Sequence, residues 1–217
     1  MAVATEELIH RVLLRNISWS TYEAILADLA ERPIRLTYDR GDLEIMAPSK
    51  RHERHARLID RMIGALTEEL GVPLQSTGAT TWRSALKGRG LEADESYYLQ
   101  NEHRVRGELD FDPERHPLPD LAVEVEVSRS LLDRQSLYAA LGIGEIWRFD
   151  GERLTALVLE GDGYSEVEFS RALPFLRVQE LSLWLRKARE TDETTWIRSF
   201  RRWVRTSFPS ARRGDSG

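Results

Sequence analysis

The stretch Pro119-Asp120-Leu121-Ala122-Val123-Glu124-Val125-Glu126-Val127-Ser128 decides how this chain is read. Side chains alternate across a strand, so Leu121, Val123, Val125 and Val127 line one face and Asp120, Ala122, Glu124, Glu126 and Ser128 the other. One face is apolar and the other acidic. A half-exposed strand shows this pattern; an acidic face that gathers a divalent cation is the alternative, because neighbouring like charges repel and a cation offsets the repulsion. Glu124 and Glu126 lie about 6.6 Å apart along such a strand, within reach of one metal cluster, whereas Asp120 is about 13 Å from Glu124 and a poor co-ligand. A second acid must then come from a neighbouring strand, and Glu92-Ala93-Asp94, just after Gly88-Arg89-Gly90, is the best candidate. Two or three carboxylates, with water and phosphate in the remaining positions, describe a Mg²⁺ site.

Working outward, Tyr22, Ile25, Leu26 and Leu29 recur at helical spacing behind Ser20, with Glu23 three residues on as in a capping box, which predicts a helix over 21–30 stopped by Pro33. Two strand-like runs, IRLTY and LEIM, flank Asp39-Arg40-Gly41-Asp42 and predict a β-hairpin. Pro48-Ser49 open a long amphipathic helix with Leu58, Ile59, Met62, Ile63, Leu66 and Leu70 as its apolar stripe, and Gly71 ends it. Residues 74–99 are β-like, with breaks at Gly78 and at Gly88-Arg89-Gly90. Beyond the acidic strand, LLDRQSLYAALG predicts a short helix ending at Gly142. GEIWRFDG, RLTALVLE and YSEVEF then predict three strands that extend the sheet antiparallel. Trp196, Phe200 and Trp203 fall on one face of a last helix, placed either to cover the domain's own core or to form an interface. The whole is a mixed α/β pattern.

Composition narrows the function classes. The 217 residues contain 41% hydrophobic and 31% charged side chains and no Cys, which describes a globular chain without disulfides, thiol nucleophiles or cysteine-ligated metals. No apolar run approaches the roughly 20 residues of a membrane span, and the acidic start MAVATEELIH lacks the basic region of a secretory signal, so a cytoplasmic protein without a membrane partner is expected. The net charge of −5 argues against a protein that simply coats nucleic acid. Residues 186–217 are the exception, with nine Lys/Arg against four Asp/Glu. That run is either a solvated helix face with a tail or a footprint for a phosphate backbone.

The collinear motifs LTYDRGDLEIMAPS, HERHARLI, LEADESYYLQN, PDLAVEVEVSRS and LYAALGIGEIWRFDG make residues 17–185 resemble the Uma-two family of restriction-endonuclease-like proteins, a branch of the PD-(D/E)xK nuclease superfamily. The resemblance implies an α/β, restriction-endonuclease-like domain over 1–185, a mixed central β-sheet flanked by helices, followed by the basic helix and tail of 186–217. It also implies a Mg²⁺-dependent endonuclease acting on DNA, with Mn²⁺ as a substitute metal and a homodimer as the assembly.

Carried over, Asp94 falls at the family's metal-binding Asp, with Ala93 where Pro is usual, and Glu124 at the acid of (D/E)xK. Glu126 stands where the superfamily has Lys, as a second metal ligand or a general base. Arg134, opening the short helix, is either the source of the missing positive charge or a surface residue; it is effectively always protonated and so is no base. His52 and Glu53 resemble a polar helix start facing the site, or are ordinary first-turn residues. The absent lysine keeps a second class open, a nuclease fold retained as a binding or assembly module with weak or lost catalysis.

Overall fold

A computed structural model describes residues 11–30, 32–109, 111 and 115–209. The acidic start MAVATEELIH and the tail from 210 onward lie outside them.

The strands form two sheets. The first is antiparallel, in the spatial order β1 (Arg11–Leu14), β3 (Asp42–Met46), β2 (Arg35–Asp39), β6 (Arg89–Glu92) and β5 (Thr81–Ser84). The second runs β11 (Gly163–Val167), β10 (Leu154–Glu160), β9 (Glu145–Phe149), β8 (Leu121–Val125), β7 (Glu95–Tyr98) and β4 (Gln75–Ser76). It is mixed, because β8 and β9 pair in parallel while its other pairs are antiparallel. Parallel neighbours need a crossover, and helix α3 (Arg134–Leu141) supplies it. The α/β class with a mixed sheet flanked by helices is as expected from the sequence. The expected hairpin is β2–β3, but it belongs to the separate first sheet, where β1 also pairs with β3.

The long helix α2 (Lys50–Leu70) follows its sequence signals. Ser49 caps it by accepting from the His52 amide at 3.2 Å, and Gly71 ends it at φ 69°, a left-handed conformation that glycine adopts without Cβ strain. Its stripe packs on Leu121, Val123 and Val125 of β8 and on Trp147 and Phe149 of β9. The opposite face of the same sheet meets α3, where Ala122 and Ile146 pack with Leu137, Tyr138 and Leu141. Strand β8 is thus buried on both faces, which removes the half-exposed reading of its acidic side.

The first helix differs from its sequence reading. Helix α1 spans Trp19–Asp28, and Ser18, not Ser20, is the cap, with Oγ accepting from the Thr21 amide at 3.1 Å. Both serines fit the preference for a hydroxyl at that position, and the chain's entry from Ile17, bonded to the Gly41 carbonyl, selects the earlier one. After β11 come α4 (Glu180–Lys187), which the periodicity left unassigned, and α5 (Glu193–Ser207). Trp196, Phe200 and Val204 of α5 bury themselves in the core shared with α2 and α4.

Candidate active site

Asp94 lies on the step between β6 and β7, where the chain passes from the first sheet to the second. Its backbone N–H donates to the Val123 carbonyl at 3.2 Å, and its Oδ2 accepts from the Val125 amide at 2.7 Å. The carboxylate is therefore fixed to the backbone on either side of Glu124. Ala93 donates its N–H to the Thr80 carbonyl at 3.4 Å, a bond that a proline at this position would lack. Oδ1 of Asp94 faces Nε2 of His52 at 3.3 Å and Nε of Arg35 at 3.9 Å. His52 thus points into the site from the first turn of α2, while Glu53 beside it is 42% exposed.

Glu124 points to the other side of β8, toward α3. Arg134 holds it, with Nη2 donating to Oε2 at 2.7 Å and Nε in ion-pair contact with Oε1 at 2.6 Å, and Tyr138 donates its hydroxyl to Oε2 at 2.8 Å. The same guanidinium donates to Thr37 Oγ1 at 2.6 Å and to the Glu92 carbonyl at 2.7 Å. One side chain therefore ties α3, both sheets and Glu124 together. Glu92 itself turns to Arg35.

The two acids feel each other, and their surroundings split them. Burial would raise Asp94, but His52, Arg134 and the Val125 amide outweigh it and hold its carboxyl below the usual range. Burial also raises Glu124, the Asp94 charge adds to it, and Arg134 and Tyr138 do not fully compensate, so Glu124 ends above its ordinary value. Burial alone would push His52 down, yet Asp94, Glu53 and Glu124 push it up to about 9, making it an imidazolium at neutral pH. Glu95, next along β7, is pushed up to about 7 by burial and by the charges of Asp60 and Asp94.

Glu126 lies beyond the end of β8. Its amide still donates to the Phe149 carbonyl at 2.7 Å, but its half-buried carboxylate faces Arg148 on β9 at 3.5 Å. The structure thus brings Asp94, Glu124, His52 and Arg134 together and leaves Glu126 at the rim. Asp120 sits apart, accepting from the Leu99 and Asn101 amides at 2.7 and 2.9 Å. A cavity of about 740 Å³ opens against Glu124 and is lined by Glu126, Arg129, Arg134, Tyr138 and Arg148, among others. Its mixture of carboxylates and guanidiniums suits a phosphodiester approached by a water molecule.

Sequence reasoning missed Arg35, Glu95 and Arg148 and the bond that Tyr138 makes. Arg148 reaches the site because β9 pairs in parallel with β8, placing it beside Glu124 in the register. That pairing leaves no local sequence signal. Tyr138 does pack, and its hydroxyl adds the bond to Glu124 that a buried tyrosine normally seeks.

Among the described residues no three His, Asp or Glu side chains converge to hold a metal ion. Mg²⁺, however, commonly takes only one or two carboxylates, with water and substrate phosphate completing its shell. Asp94 and Glu124 offer that donor chemistry, and a cation would offset both the burial and the Asp94 charge that raise Glu124. The donor type fits a hard divalent cation, while the oxygens of both carboxylates are held by His52, Arg134, Tyr138 and the Val125 amide.

A family model described as "Uma2: Putative restriction endonuclease" matches residues 19–188. No curated protein matches the chain.

Proposed function

Since the chain belongs to the Uma2 restriction-endonuclease family, we propose that it is a Mg²⁺-dependent endonuclease hydrolysing phosphodiester bonds of DNA. The observation that carries this reading is the pair of buried, interacting acids Asp94 and Glu124, of which Glu124 lines a cavity with Arg129, Arg134 and Arg148. Asp94 and Glu124 would hold the ion, which in such a site polarises a phosphoryl oxygen and lowers the pKa of bound water.

The chain's own groups do the rest. Arg134 fixes the rotamer of Glu124 through its hydrogen bond and ion-pair contact, and the backbone bonds of Asp94 fix that carboxylate before substrate arrives. Arg148 and Arg129 attract the phosphodiester to the cavity, and they stabilise the charge that grows on its oxygens during attack. Glu126, beside Arg148 at the rim, takes the proton from the attacking water on a carboxylate oxygen as the new P–O bond forms and the ester P–O bond breaks, and the departing alkoxide takes a proton from solvent. His52 keeps Asp94 ionised from the far side.

Nicking of plasmid DNA by the purified protein in millimolar Mg²⁺ tests this. Glu124→Gln and Asp94→Asn are each expected to lower the rate by about 100-fold or more while leaving the circular dichroism spectrum unchanged. Undiminished cleavage by both variants would sink the proposal.

A second reading, a nuclease-fold binding module with weak or lost catalysis, is favoured by one observation: both oxygens of Glu124 are already engaged by Arg134 and Tyr138. The two readings part on a melting curve. A cation that binds only the folded chain must raise its melting temperature, so a rise with Mg²⁺ that Asp94→Asn abolishes supports the enzyme, and none at millimolar metal supports the module.

A further inference from the structure

On the α2 side of the β8 end lies a second groove, about 470 Å³, lined by Lys50, Arg51, Arg54, His55, Leu58 and Arg189 among others. Four of these are cations on exposed positions, three from the first turns of α2 and one just after α4. Here, among the described residues, Lys50, Arg51 and Arg189 pair with no carboxylate, and only Arg54 meets one, Glu193 at 3.5 Å.

Further observations point the same way. His55 sits in the groove wall, 6% exposed, with its ring 4.9 Å from that of Phe149. Burial and the fields of Arg189 and Arg51 push this imidazole down to about 4, so it adds no charge of its own and reports a positive surrounding. The groove also adjoins the candidate active site. A Cβ on Gly151 would lie 3.8 Å from Nη2 of Arg51 and 3.9 Å from Val127, the residue that follows Glu126. Cations therefore flank the end of β8 on both sides: Arg129, Arg134 and Arg148 toward α3, and Lys50, Arg51, Arg54 and Arg189 toward α2.

We infer that the α2–α4 groove binds the phosphate backbone of the nucleic acid at positions flanking the phosphodiester held at the Glu124 cavity. This rests on the nuclease reading and goes beyond it by assigning the residues that hold substrate away from the reacting bond. Uncompensated cations in a concave surface match a polyanion that already crosses the neighbouring strand ends. The overall −5 charge does not oppose this, because the attraction is set by the local field within a Debye length.

The test uses the full chain carrying Glu124→Gln, titrated by fluorescence anisotropy with a labelled DNA duplex at several salt concentrations. Adding Arg51→Ala and Arg189→Ala is expected to weaken binding and to flatten the dependence of log K on log salt by about 2, near one for each phosphate no longer neutralised. A control with the same charge change elsewhere, Arg198→Ala and Arg202→Ala on α5, is expected to leave the slope unchanged. In the otherwise unaltered chain, Arg51→Ala with Arg189→Ala is expected to raise KM for cleavage several-fold at constant kcat.

An unchanged slope in the groove variant, or an equal loss in the control, overturns the groove while leaving the nuclease reading intact. Absence of binding and cleavage by the parent chain overturns that reading, and the groove assignment with it.

Discussion

Arg134 is the residue on which the site turns. It neutralises a Glu124 that is nearly inaccessible to water, and it reaches both sheets through Thr37 and the Glu92 carbonyl. Removing one partner of a buried ion pair leaves the other charge uncompensated, so Arg134→Ala is expected to cost about 3–5 kcal/mol, read as a lower midpoint in urea. Arg134→Lys keeps the charge but has no planar fork to bridge Glu124, Thr37 and Glu92 at once, so it should recover only part of that loss. His55 gives a prediction of opposite electrostatic origin. Its pKa in the fold, about 4, lies below the unfolded value, so the unfolded chain binds more protons as pH falls from about 6.5. Stability from the neutral imidazole is complete above that pH and is lost on acidification toward 4. A His55→Phe variant should therefore show a shallower fall of melting temperature between pH 7 and 4.5; an identical fall would show that other groups govern it. From sequence the types of Asp94, Glu124 and Arg134 were readable, whereas the partnership of His52 with Asp94 was not, because it joins residues 42 positions apart.

Elements were legible where local signals and burial agree. Ser49 and Gly71 bound α2, and Asp133 and Gly142 bound α3, because a capping side chain and a left-handed glycine satisfy helix ends with short-range chemistry. The alternation of β8 marks it as a strand, but not as one buried on both sides, since covering its acidic face requires α3 to fold back over it. Gly90 shows how elements lock together. Its sequence neighbourhood suggests a turn, but it lies within β6, and a Cβ there would stand 2.4 Å from the hydroxyl oxygen of Tyr22 on α1. That hydroxyl is buried without a hydrogen-bond partner. Gly90→Ala should thus destabilise the first sheet by about 1–3 kcal/mol through overpacking. Tyr22→Phe, which removes the offending atom and an unsatisfied polar group, should be nearly neutral alone and should recover most of the Gly90→Ala loss in the double variant. Additive losses would show that the clash lies elsewhere.

Across the whole molecule, α5 closes the core that α2 begins. Trp196 is 1% exposed, and its indole N–H donates to the Trp184 carbonyl at 2.8 Å; Phe200 and Trp203 complete an aromatic cluster with Trp184. Trp196→Ala should cost about 3–5 kcal/mol, visible as a drop in melting temperature, because it opens a large cavity between α5, α4 and α2. Trp196, Phe200 and Val204 of the last helix are spent inside the fold, while Trp203 stays half-buried. No helix among the described residues is long and apolar enough to cross a membrane. The sequence by itself determined most element types, the long helix with its ends, the acidic strand and the absence of thiol chemistry, because these depend on composition and on periodicities of a few residues. Only the tertiary structure decided which charges meet. The parallel pairing of β8 with β9 sets Arg148 beside Glu124, the step between the sheets brings Asp94 to the β8 backbone, and the crossover returns Arg134 to Glu124. Such meetings are fixed by sheet order and by burial on both faces of one strand, and a one-dimensional pattern carries neither.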